Sequence, residues 1–227
     1  MMRAEDILAL TPSGVCCKLG DFHIDPTRPV ARALITHGHS DHVEGLPAIA
    51  ARWPSARVVR FGELSDGPIP AGDARLVPVH TPGHSPDHLC FFDEAAGDLF
   101  SGDLVRIGGT IVIPATRGGN LRQYLDSLRL VRDLAPRRLL PGHGPIIDRP
   151  QVIINDYLRH RERREAQIVE ALRAGATTPE AVALNVYGQL PPTIGPAAVE
   201  SVLAHLVKLE EEGRVTKEGV NFRTLEL

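Results

Sequence analysis

Seven side chains of the kind that bind transition metals stand in four short segments of the 227-residue sequence. These side chains are His37, His39, Asp41, His42, His84, Asp103 and His143. Imidazole nitrogen and carboxylate oxygen are ordinary ligands of zinc, and sites of this kind collect them from separate loops. Because a structural zinc site closes with four ligands, seven candidates predict a catalytic centre for two metal ions.

The first segment is an H-x-H-x-D-H run that directly follows an apolar stretch predicted to be a buried strand. His37 and His39, two residues apart in extended chain, point to the same side. The turn after them brings Asp41 and His42 towards a second ion. One loop is therefore predicted to supply ligands to both ions.

The later ligands lie in segments rich in Gly and Pro. His84 follows Thr-Pro-Gly, Asp103 follows Ser-Gly, and His143 lies between Pro-Gly and Gly-Pro. Glycine allows a ligand to project from the end of a strand without a bulky backbone. His84 and His143 each complete one ligand set, and Asp103 is suited to bridge the two ions. Its carboxylate and that of Asp41 help to offset the charge of two divalent cations.

A sheet interrupted by single helices is predicted to position these ligands. The predicted strands span residues 30–36, 57–61, 75–80, 89–93, 99–101 and 138–140. The predicted helices span residues 45–53 and 121–134, and the second has apolar residues at three- and four-residue steps before Pro136 ends it. Strands mixed with single helices predict an α/β sandwich for residues 1–150.

The last third of the chain predicts a linking helix and a small winged-helix-like domain. The helix spans residues 151–175, and its charged run at 159–165 is either a solvated face or a basic edge that faces a polyanionic substrate. Residues 176–227 hold a helix start at Thr178, a helix over 196–212 ended by Gly213, and two short strands at 214–215 and 222–225.

Charge argues against a reader of DNA sequence. Residues 151–227 contain nine Lys and Arg against eleven Asp and Glu, and the whole chain has a formal net charge of −3. We therefore expect the winged-helix-like domain to pack, to cover substrate or to form a homodimer. The sequence has no apolar run of about 20 residues for a membrane span, and charged residues among the first ten argue against a signal peptide. A cytoplasmic protein with reduced cysteines is expected.

The ligand segments resemble, in order, the five signature motifs of the metallo-β-lactamase superfamily, with Asp25 matching the first motif. The resemblance implies an αβ/βα four-layer sandwich with the metals at one edge, and Asp25 orienting the ligand loop. His37, His39 and His84 are then ligands of the first metal. Asp41, His42 and His143 are ligands of the second, and Asp103 lies between them. The cofactors are two divalent ions, zinc by default, although iron or manganese fits the same ligands.

The resemblance extends beyond the metal ligands. The stretches Thr-Pro-Gly-His-Ser-Pro-Asp-His at 81–88 and Pro-Gly-His-Gly-Pro-Ile-Ile at 141–147 are similar to the winged-helix-containing members, whose mitochondrial relative is an endoribonuclease that acts on single-stranded RNA. The stretch at 14–26 looks more like the opening of RNA-processing exonuclease-like members. His88, four residues after His84, is expected to lie in the core, to support a ligand or to touch substrate.

The expected reaction is hydrolysis by a hydroxide that bridges the two metals, with Asp41 as a catalytic residue that binds metal and hydroxide and could pass a proton. The substrate is either an acyl compound (a thioester, lactone or ester) or a phosphodiester, since a fold does not determine a substrate. A narrow apolar pocket favours a small acyl compound.

A basic patch around the cleft favours the alternative, a single-stranded-RNA endoribonuclease. The residues that would form such a patch are Arg106, Arg117, Arg122, Arg159 and Arg163. A non-catalytic metal-binding module and a true β-lactamase are further alternatives. The complete ligand set argues against the first of these, and the lack of a secretion signal argues against the second.

Overall fold

A computed structural model describes residues 8–11, 14–17, 22–26, 28, 30, 33–43, 46–52, 54, 61–64, 67–71 and 74–225. The strands are β1 Leu8–Thr11, β2 Gly14–Cys17, β3 Phe22–Ile24, β4 Ala33–Leu34, β5 Ile69–Ala71, β6 Ala74–His80, β7 Leu89–Asp93, β8 Asp98–Gly102, β9 Arg138–Pro141, β10 Val215–Glu218 and β11 Asn221–Thr224. The helices are α1 Ser40–Val43, α2 Leu46–Arg52, α3 Leu121–Leu134, α4 Pro150–Arg173, α5 Pro179–Tyr187 and α6 Gly195–Glu211.

The strands form two larger sheets and one hairpin. The first sheet has the order β1-β2-β3-β4, and the second has the order β5-β6-β7-β8-β9. Each sheet is antiparallel except for its last pair, β3–β4 and β8–β9, which run parallel. Strands β10 and β11 form the separate hairpin.

The two sheets pack face to face through one apolar cluster. Ile24 and Leu34 of the first sheet meet Leu76 and Phe91 of the second. The opposite face of the second sheet is covered by α3 and α4 in a larger cluster that contains Leu99, Leu139, Leu128 and Ile154. The apolar residues that predict α3 are the ones that face this cluster, because positions three and four apart share one side of a helix. Two stacked sheets with helices on the outer face of the second agree with the α/β sandwich expected from the sequence.

Two predicted strands can be compared with the structure only in part. Of the strand predicted at 30–36, residues 33–34 form β4, which pairs with β3. Residues 30, 35 and 36 are not in a strand, and residues 31 and 32 lie outside the described residues. Of the strand predicted at 57–61, residues 57–60 lie outside the described residues, and Phe61 begins a 3-10 turn that ends at Glu63. The helix predicted at 45–53 corresponds to α2, Leu46–Arg52. Its predicted end residues, Gly45 and Trp53, lie outside the described residues.

The C-terminal region is a winged helix with a core of its own. That core combines α5, α6 and the hairpin with the last turns of α4, including Ile168 and Leu172. Because α4 also contributes Ile154 and Leu158 to the main core, one helix belongs to both. The boundaries predicted at residues 150 and 175 stay predictions. Among the described helices, none has the length and apolarity needed to cross a bilayer.

Candidate metal centre

The predicted ligands meet at one edge of the sandwich because each follows a strand that ends there. His37 lies just after β4, His84 after β6, Asp103 after β8 and His143 after β9. The main-chain N–H of Gly142 donates to the carbonyl of Gly102 over 2.9 Å, which brings the loops after β8 and β9 together. The remaining ligands lie at or just before α1, in the loop that His37 begins.

Glycine is required directly beside two of these ligands. A Cβ on Gly83, whose φ is +134°, would stand 2.3 Å from the main-chain nitrogen of Tyr124 at the start of α3. A Cβ on Gly102, whose φ is +46°, would stand 2.7 Å from Nε2 of His88. These close approaches explain why glycine precedes both His84 and Asp103.

All seven predicted ligands fall into three groups whose ligand atoms lie within 4.8 Å of one another. The groups are His37 with His39 and His84, His37 with His42 and Asp103, and Asp41 with His42 and His143. Within the first group, Nε2 of His37 lies 3.0 Å from Nδ1 of His39. Two ligand sets that share neighbours suit two adjacent ions better than one.

Asp103 lies between the two histidine sets. One carboxylate oxygen, Oδ2, is 3.5 Å from Nε2 of His42 and 3.5 Å from Nε2 of His84. Both of these nitrogens are buried and have no hydrogen-bond partner among the described residues. A buried polar atom without a partner is costly, so these two nitrogens fit cation ligands well.

The other side of the cluster opens to solvent. The side chains of Asp41 and His143 are 60% and 46% exposed, with Oδ2 of Asp41 3.4 Å from Nε2 of His143. The Nε2 atom of His143 is also 3.7 Å from Oδ1 of Asp103. A substrate can therefore approach the cluster on this face, while the first histidine group lies deeper.

Two ligands are fixed from behind by hydrogen bonds. Nδ1 of His42 lies 2.6 Å from Oδ2 of Asp25, which also accepts from the Thr36 hydroxyl over 2.8 Å. Nδ1 of His84 donates to the carbonyl of Val112 over 2.8 Å. Both bonds leave Nε2 without a proton in the neutral ring and aim it at the cluster, as outer partners of metal ligands do.

Charge within the cluster favours a cation. Burial, together with the neighbouring histidines, lowers the pKa of His37 to about 2, so its ring is neutral. Burial also opposes a charge on His42, but the neighbouring carboxylates of Asp103 and Asp25 outweigh it and raise the pKa of His42 to about 10. In the metal-free protein a proton on His42 therefore balances the carboxylates. A divalent ion held by His42 would displace this proton.

The arginines proposed to form a basic patch differ in their surroundings. Arg117 lies near the cluster, where it adds to burial and to His84 in lowering the pKa of His39. Arg159 pairs instead with Asp156 at 2.5 Å, and Arg122 lines a cavity between α3, α4 and α6. The remaining two, Arg106 and Arg163, are exposed.

Sequence reasoning missed one group near the site, the side chain of Arg161. Its guanidinium is buried and bonds to the chain just before Val112. The charged run at 159–165 gave no signal that one of its arginines points inward. His88 was left open, and the structure places it in the core behind Asp103.

Comparison with known proteins agrees with this architecture. A model of the metallo-beta-lactamase superfamily matches residues 55–143, and a model of the beta-lactamase associated winged helix domain matches residues 178–223. The chain is 34% identical over 225 residues to a beta-lactamase-like protein 2 homolog of Drosophila melanogaster. The aligned region covers 87% of this chain and 74% of that protein.

Two further similarities concern function and fold. The chain is 30% identical over 207 residues to an atrochrysone carboxyl ACP thioesterase of Aspergillus chevalieri, covering 83% of this chain and 66% of that one. A crystal structure of a beta-lactamase domain protein from Burkholderia ambifaria superimposes with a TM-score of 0.66 and 25% identity, over 84% of this chain and 57% of the other.

Proposed function

The chain belongs to the metallo-β-lactamase superfamily, and from this premise we propose that it is a two-metal hydrolase of acyl substrates, with thioesters as the first class. The observation that supports the metal centre most strongly is the position of Asp103. One of its oxygens is equally far from two buried histidine nitrogens that lack any other partner in the described structure. A shared carboxylate between two histidine sets is the arrangement that a pair of divalent ions uses.

The ligands divide between two ions as the family resemblance implies. His37, His39 and His84 would hold one divalent cation, and Asp41, His42 and His143 the other, with Asp103 common to both. When bound, two such cations supply Lewis acidity and lower the pKa of water towards about 7. Zinc is the first candidate for a site with five histidines, and iron or manganese suits the same donors.

Asp41 is the proposed catalytic residue on the protein side. Its side chain is more exposed than that of His143, which it faces across 3.4 Å at the open side of the cluster. In thioester hydrolysis, the oxygen of water bonds to the acyl carbon, the carbon–sulfur bond breaks, and the thiolate takes up a proton. Asp41 is placed to accept the proton from water and to pass it to the departing sulfur.

Acyl substrates are favoured over RNA by charge and by similarity. A relative named as a thioesterase is 30% identical to this chain. The chain carries a formal net charge of −3, and of the arginines proposed for a basic patch, Arg159 is paired with Asp156. The helix of the winged domain that would enter a nucleic-acid groove, α6, packs against the catalytic part instead. Its Glu200 bonds to Thr116, and its Glu211 accepts from Asn120 over 3.0 Å. The domain thus packs against the catalytic part.

Thiol release from a series of acyl-N-acetylcysteamine thioesters tests the proposal. Zinc-loaded wild type is compared with Asp103→Asn, which lacks the shared carboxylate charge, and with Asp126→Asn, which alters an exposed carboxylate paired with Arg129. We expect turnover by wild type and Asp126→Asn and a loss of at least about 100-fold in Asp103→Asn. A fluorophore-labelled single-stranded RNA is assayed in parallel. Cleavage of RNA that Asp103→Asn abolishes, without thiol release by wild type, would contradict the acyl class and support the endoribonuclease.

A further inference from the structure

The segment 104–112 connects two of the proposed ligands. It starts immediately after Asp103, and it ends at Val112, whose carbonyl accepts the hydrogen bond from Nδ1 of His84. The segment contains no helix or strand that would fix its path, and the 3-10 turn at 115–117 begins only after it. Its conformation therefore depends on side chains that bond to its backbone.

Three side chains from the helices hold this segment. The hydroxyl of Tyr124 donates to the carbonyl of Leu104 over 2.7 Å. The hydroxyl of Tyr157 accepts from the N–H of Arg106 over 3.1 Å, and it lies 3.0 Å from the carbonyl of the same residue. The third side chain is Arg161, which belongs to α4 as Tyr157 does.

Arg161 binds the end of the segment that leads to His84. One guanidinium nitrogen, Nη2, donates to the carbonyl of Ile111 over 2.5 Å and to the hydroxyl of Thr110 over 3.1 Å. The other, Nη1, is 3.5 Å from the hydroxyl of Ser201 on α6. The guanidinium carbon also lies 5.6 Å from the centre of the Tyr124 ring.

This arginine is buried without an acidic partner. It is 2% exposed, and in the part of the chain that the structure describes no Asp or Glu lies within ion-pair distance of it. A buried charge is costly unless it is hydrogen-bonded, so its carbonyl and hydroxyl acceptors must hold it in one geometry. The planar fork of arginine suits several acceptors at once, which a lysine ammonium does not match.

We propose that Arg161 is a positioning residue for the metal centre, and that through it the winged helix helps to set the affinity of the site for metal. Arg161 binds the carbonyl of Ile111, and the carbonyl of the adjacent Val112 accepts from His84. Ser201 of the winged helix contacts Arg161 from the other side. The proposal rests on the proposed function, because it concerns the same ligands. It adds that the winged helix helps to orient the ring of His84.

Zinc affinity, measured by competition with a chromophoric chelator, tests this inference. Arg161→Met is compared with Arg164→Met, one turn along α4, where the arginine stacks over Tyr187 at 4.1 Å and bonds to Gln167. We expect Arg161→Met to weaken zinc binding by about tenfold, as loss of an outer partner does. We expect Arg164→Met to match wild type. The absorption spectrum of the cobalt-loaded protein reports ligand geometry and should change only in Arg161→Met.

Each outcome decides the proposal. Equal zinc affinity and equal cobalt spectra in wild type and folded Arg161→Met would overturn it, as would an equal loss in both arginine variants. If Arg161→Met does not fold, Thr110→Val removes one exposed acceptor of Arg161 and is expected to weaken zinc binding by about threefold. An unchanged affinity in that variant would then overturn the proposal. Wild type that takes up no zinc would instead contradict the metal centre itself, and this inference with it.

Discussion

The main-chain N–H of Asp103 donates a hydrogen bond of 3.0 Å to Nε2 of His88, a histidine with no exposed surface. Nδ1 of His88 lies 2.8 Å from the hydroxyl of Thr81. Since Nε2 accepts, the proton of the neutral ring is on Nδ1 and is donated to Thr81. Burial and the neighbouring His84 hold the pKa of His88 at about 3, which keeps the ring neutral. His88 thus holds the backbone of the shared carboxylate from behind.

Replacement of His88 by leucine should damage both stability and metal binding. The variant leaves the N–H of Asp103 buried without an acceptor, which costs about 1–3 kcal/mol of unfolding free energy. Zinc affinity should fall by about 10-fold or more because Asp103 is no longer held. Urea unfolding and chelator competition measure the two effects. His80→Leu is the control, since His80 is exposed and its Nε2 donates to the carbonyl of Pro86. Wild-type zinc affinity in His88→Leu would show that Asp103 does not need this support.

Removal of the Asp25 carboxylate should weaken metal binding through His42. In Asp25→Ala, Nδ1 of His42 and the hydroxyl of Thr36 both lose the oxygen that they share. We expect zinc to bind about 10–100-fold more weakly, because the ring of His42 is no longer oriented. Arg28→Ala, at an exposed neighbouring position, should bind zinc as wild type does. Equal affinities in the two variants would contradict the role given to Asp25.

A buried ion pair away from the metals should matter for stability alone. Asp98 at the start of β8 accepts from Nε of Arg138 over 2.9 Å and from its Nη2 over 2.5 Å, and both side chains are buried. Asp98→Ala leaves the Arg138 charge buried and unpaired, which costs about 3–5 kcal/mol. Arg137→Ala removes a half-exposed partner of the same carboxylate and should cost no more than about 1 kcal/mol. Chemical denaturation distinguishes the two values, and similar losses in both variants would contradict the assignment.

Stability should fall at mildly acidic pH because of His205. This histidine of α6 is fully buried, and neither ring nitrogen has a hydrogen-bond partner in the residues that the structure covers. Burial first, and then the charges of Arg161 and Lys208, lower its pKa well below the ordinary value of 6.5. Below that pH the unfolded chain takes up a proton that the folded chain refuses. The stability present above pH 6.5 is therefore lost as the pH falls.

His205→Leu isolates this contribution. Between about pH 7.5 and pH 5, the variant should lose less unfolding free energy than wild type, with a difference of at most about 1.4 kcal/mol per pH unit below 6.5. Denaturation curves at the two pH values, on metal-loaded protein of each kind, give the difference. Parallel pH profiles for wild type and variant would show that His205 is not the group responsible.

Short-range patterns in the sequence predicted the parts of the structure that depend on neighbours along the chain. The steps of three and four residues from Leu121 gave α3 with its observed ends, since a single apolar stripe faces the sheet. The ligands could be proposed from the H-x-H-x-D-H run and from the later His and Asp residues in segments rich in Gly and Pro, because imidazole and carboxylate groups bind such ions. The structure brings all seven together. Their role in binding metal stays a prediction.

Long-range packing decided what the sequence could not predict. The strand expected to reach residue 36 ends at Leu34, because the partner strand β3 ends at Ile24, which pairs with Leu34. Arg161 stands in a charged run that looks like a solvated helix face. It is buried because α6 and the segment around Ile111 pack against it. These contacts come from distant parts of the chain, so the sequence of α4 alone does not predict them.

The most direct test of the metal centre is the number of zinc ions bound per chain, counted by native mass spectrometry after excess metal is removed. Two ligand sets with Asp103 between them predict two ions in wild type and at most one in Asp103→Asn. Wild type that holds a single ion, or an Asp103→Asn variant that keeps both, would contradict a shared carboxylate between two metals.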